Sequence, residues 1–235
     1  MPLLRCSKEE WRAAMAVAAG CDGPPQCEWG RMAQRVRGLA AYRAAKRVFV
    51  GPSPVLSQVR VNVLSDGKEL LMPAPGLKEG FFLCLPYVIP FADLIYATTY
   101  RGLPRFGRLL DNRALVGMEV AMLVTDVVAV DRQGAILGDG NGFFDLTCAI
   151  LSDLGVMDRP RATIVALAAD EQLVSEVLPV DSWDVRLDEV LTPSGGIVFD
   201  EIGREKPTIL WPHLEPERVR RLNPLWKLSL EQCRD

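Results

Sequence analysis

Three glycines at alternate positions, Gly138, Gly140 and Gly142, form the most chemically suggestive pattern in the chain, inside VDRQGAILGDGNGFFDL, Val130 to Leu146. Removing Cβ from such positions lets the backbone take φ > 0 or approach a ligand closely. Successive N–H groups in a loop of this kind make an anion-binding nest. A buried-strand pattern precedes it and an apolar helical pattern starts at Phe143, so the unpaired N–H groups and dipole of that helix would face the same anion. Asp-Gly-Asn-Gly is equally the composition of an ordinary tight turn, and spacing alone leaves both readings open. Asp145 has two readings too. It favours the helix dipole from the first turn, or it holds Mg²⁺ beside bound phosphates, since that ion takes one or two carboxylates plus phosphate oxygens.

Other polar groups give weaker signals. Lys8 and Arg12 are four residues apart on a first helix, a spacing that also describes a solvated face. Arg101, Arg105 and Arg108 are interleaved with Tyr100 and Phe106, a set that suits an anionic substrate tail or simply a basic loop. His213 is the one histidine. With no Ser or Cys nucleophile motif nearby, it reads as a surface residue.

The elements that must position these groups follow from periodicity. Ser7 with Glu10 forms a capping box for a first helix ending near Gly20, and a second helix is expected over Met32 to Ala45. Arg47 to Val50, a helical stretch through Leu64, and LLMP make one β-α-β unit. FFLCLP is a further short strand or a buried segment, whereas 91 to 113 has no clear pattern. MLVTDVVAV reads as one central parallel strand, followed by the glycine loop, a helix from Phe143 to Leu154, the strand ATIVALAA, a helix over Glu171 to Val177, and EVLTP. The alternation predicts an α/β fold, three layers α/β/α with a mostly parallel sheet. One domain over 1–235 is expected: N-terminal helices in 1–45, a sheet core in 46–198 and a polar helical appendage in 199–235.

Composition limits the function classes. With 235 residues, 49% hydrophobic and 24% charged, the chain can bury a substantial core. A net charge of -3 offers no global positive field for nucleic acid or an anionic membrane. The N-terminus mixes charges before any apolar run, unlike a signal peptide, and Glu119 and Asp126 interrupt the most apolar stretch, so a cytoplasmic protein with small-molecule partners is expected. The six cysteines contain no C-x-x-C pair, which favours reduced thiols, buried at Cys84 and Cys148, with a Cys21–Cys27 disulfide as the minor alternative.

The glycine segment resembles the signature of the 5-formyltetrahydrofolate cyclo-ligase (5,10-methenyltetrahydrofolate synthetase) family, F-D-x-x-G-x-R-L-G-x-G-x-G-Y-Y-D. Asp131, Gly134, Leu137, Gly138, Gly140, Gly142 and Asp145 fill matching positions, and Phe143 and Phe144 stand for the two tyrosines. WDVRLDEVLTP is similar to a second family segment through Asp184, Asp188, Val190 and Thr192. VRVNVLSDGKELLMPAPGLKEGFF and KPTILWPHLEPERVRRLNPL are closer to a divergent branch, the methenyltetrahydrofolate synthetase domain-containing proteins. The similarity runs over about residues 46 to 230.

The resemblance implies a fold shared with sugar-phosphate isomerases and CoA transferases, with ATP, Mg²⁺ and a reduced folate as ligands. It implies ATP-dependent conversion of 5-formyltetrahydrofolate to 5,10-methenyltetrahydrofolate. Lys8, Arg12 and Asp145 would be the catalytic set. Lys8, Arg12, Gly138, Asp139, Gly140, Asn141, Gly142, Phe143, Phe144 and Asp145 would contact ATP, with Mg²⁺ on Asp145. Arg101, Arg105, Trp183 and Asp184 would face the substrate, in a monomer or homodimer. Departures are also plain: Ile136 replaces the signature arginine, Asp139 stands where arginine is frequent, and Trp183 where many members have histidine. These keep open a non-catalytic nucleotide- or folate-binding module, or an enzyme on a different small phosphorylated or thiamin-related substrate.

Overall fold

The computed structural model describes residues 7–18, 26–199 and 205–232. Its main sheet contains β1 (Arg47–Val50), β2 (Glu69–Pro73), β3 (Phe81–Cys84), β4 (Arg108–Leu110), β5 (Met122–Asp126), β8 (Thr163–Leu167), β9 (Glu189–Leu191) and β10 (Gly196–Val198). The order is β10-β9-β8-β5-β1-β2-β3-β4. The five central strands, β9 to β2, are parallel, and β10, β3 and β4 join antiparallel at the two ends. A separate hairpin pairs β6 (Ala129–Val130) with β7 (Ile136–Leu137).

The helices are α1 (Lys8–Ala18), α2 (Gln26–Gly38), α3 (Ala40–Ala44), α4 (Ser57–Ser65), α5 (Leu94–Ala97), α6 (Leu103–Phe106), α7 (Asn112–Leu115), α8 (Phe143–Asp153), α9 (Pro216–Arg221) and α10 (Asn223–Gln232). Alternate residues of one strand enter different cores. Val48, Met122 and Val165 pack with α2 and α4, whereas Phe49, Leu123 and Ile164 pack with α8 and the C-terminal segment. Burial on both faces explains why these strands read as continuous apolar runs, and it makes the three layers expected for the α/β class. Ile209, Leu222 and Leu225, in the segment expected to be a polar appendage, are buried in the α8-side core.

α1 stands apart from both layers. Trp11 and Met15 are buried with Ala129, Ala135, Leu137 and Leu178 in a third small cluster. Its capping box forms as expected: Ser7 N donates to Glu10 Oε2 at 2.6 Å and Glu10 N to Ser7 Oγ at 3.3 Å. Gly20, the Cys21–Cys27 pairing, Cys6 and Cys233 fall outside the described residues and side chains. Cys84 and Cys148 are buried free thiols, and burial pushes the Cys84 thiol up to about 11.

Three expectations about elements need correction. Met32 to Ala45 is not one helix, because Leu39 takes extended ψ of 140° between α2 and α3. MLVTDVVAV is not one strand, because β5 leaves the sheet after Asp126 and its remainder forms β6. Residues Glu171 to Val177 are not helical. They carry one 3-10 turn, Asp170–Gln172, then an extended bridge from Leu173 to Val130, with Val174 N donating to Val130 O at 2.9 Å. The unassigned stretch 91 to 113 supplies α5, α6 and edge strand β4.

Candidate functional site

β1, β2 and β5 end together at residues 50, 73 and 126, and the crevice outside the carboxyl ends of parallel strands is where α/β sheets bind ligands. A cavity of about 360 Å³ opens there, lined by Phe49, Ser53, Tyr100, Asp126, Asp139 and Phe144 among others. The glycine loop forms one of its walls. On the loop's other side a cavity of about 260 Å³ is lined by Gly140, Asn141, Gly142, Asp145, His213 and Arg218 among others.

The motif's own residues explain the loop's position. Asp131 is buried and structural: Oδ1 accepts from Gln133 N at 2.8 Å and Ala135 N at 3.0 Å, and Oδ2 from Leu178 N at 3.0 Å. It organises the turn of the β6–β7 hairpin, which delivers the chain to Gly138. Gly140 and Gly142 have φ of +96° and +61°, with Gly142 capping α8. Both are conformations that L side chains resist.

Three cations converge on this loop or its surroundings. Arg12 Nε donates to Gly138 O at 2.9 Å, and a Cβ added at Gly140 would meet the Arg12 guanidinium at 3.3 Å. Arg218 donates to Asn141 O and lies over the Phe143 ring, 5.6 Å from its centroid. Lys8 Nζ pairs with Asp181 at 2.7 Å and with Asp184, and sits 5.9 Å from the Trp183 ring centroid. Although burial lowers it, the bonds to Asp181 and Asp184 prevail and raise the Lys8 pKa.

The acids divide into two kinds. Burial pushes the Asp145 carboxyl above its usual range and Asp184 adds to the shift, while the Val185 N–H, donated to Oδ1 at 3.0 Å, and Lys8 oppose it. Asp139 folds back on the loop, accepting from Asn141 N at 2.9 Å and Asn141 Nδ2 at 2.8 Å. Asp188 is structural: Arg159 donates to both its oxygens, and Ile164 N donates to Oδ2 at 2.7 Å.

The expected residues are therefore gathered unevenly. Arg12, residues 138–142, Phe143, Phe144 and Asp145 form or line the loop, and Lys8, Trp183 and Asp184 form a neighbouring cluster. Trp183 also touches the lone histidine, with ring centroids 5.0 Å apart, and both line the 260 Å³ cavity. Arg101 and Arg105 are exposed and line neither cavity. Arg105 stacks on its neighbour Phe106 at 4.9 Å; of that stretch, Tyr100 reaches the 360 Å³ cavity. Sequence reasoning missed Arg218, Asp126 and the buried Arg60, whose Nη1 donates to Gly51 O and Ser53 O, both at 2.8 Å, and fixes the loop after β1. Arg218 lies in the tail segment quoted for the divergent branch, which was its available signal.

The 5-formyltetrahydrofolate cyclo-ligase family matches residues 7–193. The chain belongs to the 5-formyltetrahydrofolate cyclo-ligase family. Methenyltetrahydrofolate synthase domain-containing protein of Homo sapiens is 29% identical over 206 residues, covering 85% of this chain and 52% of that protein. The chain thus spans about half the length of this relative. The 5-formyltetrahydrofolate cyclo-ligase of Escherichia coli (strain K12) is 42% identical over 73 residues, 31% of this chain and 36% of that one. In fold, this cyclo-ligase family member is similar to Aquifex aeolicus 5,10-methenyltetrahydrofolate synthetase, with a TM-score of 0.56 at 20% identity over 83% of this chain and 93% of that one. Among the described residues no helix is long and apolar enough to cross a membrane.

Proposed function

We propose that this chain binds ATP with Mg²⁺ at the 138–145 loop and a reduced folate beside it, and converts 5-formyltetrahydrofolate to 5,10-methenyltetrahydrofolate. The observation that carries the reading is the contact of Arg12 with Gly138 and Gly140: a main chain bare of Cβ, left-handed at Gly140, pressed against a guanidinium suits a polyphosphate. The donor set fits the metal as well, since the carboxylate of Asp145 lies on the helix side of the loop and phosphate oxygens complete such a site.

Bound ATP would supply a phosphoryl group to the formyl oxygen and leave as ADP; the neighbouring side-chain amine then attacks the formyl carbon, and as that C–N bond closes the new ring the carbon–oxygen bond breaks and phosphate leaves. Phosphoryl transfer asks the protein mainly for positioning and charge neutralisation. Arg12 bonds the loop at Gly138 and Arg218 at Asn141, and both offer charge to phosphate oxygens. Lys8 is held by Asp181 and Asp184, poised to exchange those partners for an anion. Asp145 would hold the metal, which would neutralise charge on the phosphates, and the aromatic cavity would exclude water from the folate ring. A cytoplasmic location accords with reduced thiols and a reduced-folate substrate.

A second reading, a binding module without turnover, is favoured by one observation. Asp139 bonds the Asn141 N–H that a phosphate would otherwise take, and its charge opposes the anion. The two readings separate by incubating the protein with 5-formyltetrahydrofolate, ATP and Mg²⁺ and following methenyl absorbance. ATP-dependent product that falls in Arg12→Ala establishes the ligase. ATP binding by calorimetry without product establishes the module, and neither binding nor product rejects both.

A further inference from the structure

The cavity on the sheet side of the loop differs in chemistry from the cationic side. Among the described residues its lining includes no lysine, arginine or histidine, and its charged side chains are Asp126 and Asp139. Aromatic rings wall it: Phe49, Tyr100, Phe143 and Phe144, with Phe49 and Phe144 centroids 6.4 Å apart. At about 360 Å³ it has the size of a small-molecule pocket, and such pockets place a few polar groups among apolar walls to fix orientation.

Asp126 is the best placed of those groups. It ends β5 at the point where the strand leaves the sheet, and Ser53 lines the same cavity. Arg60 lies behind the same wall, but its Nη1 is committed to the carbonyls of Gly51 and Ser53. Two carboxylates in an aromatic cleft repel phosphate and attract N–H donors.

Resting on the folate reading above, we propose that Asp126 is a specificity-determining residue that accepts two N–H donors from the amino-pyrimidine edge of the substrate's pterin ring, which stacks between the aromatic walls. Planar rings pack well against such side chains. A 2-amino-4-oxo ring presents an exocyclic amine next to a ring N–H, the pair of donors that one carboxylate accepts. Adenine presents one donor beside an acceptor and matches this edge less well. Phosphates are left to the cationic side, so the loop divides the ligands by charge.

The test is calorimetric titration of wild type, Asp126→Asn and Ser53→Ala with pterin, lumazine (its 2,4-dioxo counterpart), 5-formyltetrahydrofolate and ATP with Mg²⁺. Wild type is expected to bind pterin about tenfold or more tighter than lumazine, the size of one hydrogen bond to a charged group. Asp126→Asn is expected to lose that preference, with Ser53→Ala intermediate and ATP affinity unchanged in both. Thermal unfolding checks that each variant is folded. Equal pterin preference in wild type and Asp126→Asn overturns the assignment while the folate reading stands, as does a loss confined to ATP, which would place adenine at Asp126. Wild type that binds ATP but neither pterin nor 5-formyltetrahydrofolate removes the folate reading itself.

Discussion

The guanidinium of Arg12 lies against Gly140, so close that a methyl group at 140 would meet its central carbon at 3.3 Å. Helix α1 and the glycine loop are therefore packed as one unit, although 128 positions separate these two residues in the chain. Gly140→Ala should cost about 1–3 kcal/mol of stability, because φ of +96° strains an L residue. It should also weaken ATP binding about tenfold or more by displacing Arg12. Denaturant unfolding and calorimetry check the two effects separately, and unchanged ATP affinity would dissociate the loop from the nucleotide.

Asp145 should show opposite effects on stability and function. Its carboxyl lies above the usual range because of burial, so the fold favours the protonated form. That contribution is complete below the unfolded value, about 3.9, and is lost as pH rises through the higher folded value. At neutral pH the ionised group then works against folding. Asp145→Asn keeps an acceptor for the Val185 N–H, and should raise the Tm of the ligand-free protein at pH 7 but not near about pH 3, while ATP-dependent activity falls. A lowered Tm at pH 7 would contradict the sign.

Arg218→Ala should leave stability nearly unchanged, because the side chain is partly exposed and bonds one loop carbonyl. Its effect should fall on ATP, with affinity reduced by about tenfold, the scale of one charge-assisted hydrogen bond. Measuring ATP affinity by calorimetry alongside Tm tests whether the C-terminal segment completes the loop or merely covers it.

Asp188→Ala should be the most damaging change to stability. The Arg159–Asp188 pair is almost wholly buried, with side chains 1% and 5% exposed, and removing one partner of such a pair costs about 3–5 kcal/mol. Urea unfolding measures this. A cost below about 1 kcal/mol, the level of an exposed pair, would mean that Arg159 finds compensation elsewhere.

The central sheet was legible because strands buried on both faces leave uninterrupted apolar runs, as in β1, β2, β5 and β8. Helix α8 was legible because Gly142 and Phe143 mark its start. The exit of β5 at Asp126 was not, since Val127 to Val130 stay apolar and change partners, which periodicity cannot register. Leu173 and Val174 looked helical and instead pair with β6, a tertiary choice. The aspartates of the two family segments were legible as a set but not in role: Asp131 and Asp188 hold the scaffold, while Asp145 and Asp184 lie at the candidate site. Arg218 and Asp126 reach it only through the fold, with no local spacing to betray them.

Trp11 and Met15 anchor α1 on four buried side chains, Ala129, Ala135, Leu137 and Leu178, in a cluster separate from both sheet cores. Segments with so few apolar contacts open at lower free energy than the body of a domain. Lys8 and Arg12 travel with that helix, so both cations can part from their loop partners by peeling away one short rod, with the sheet never loosening.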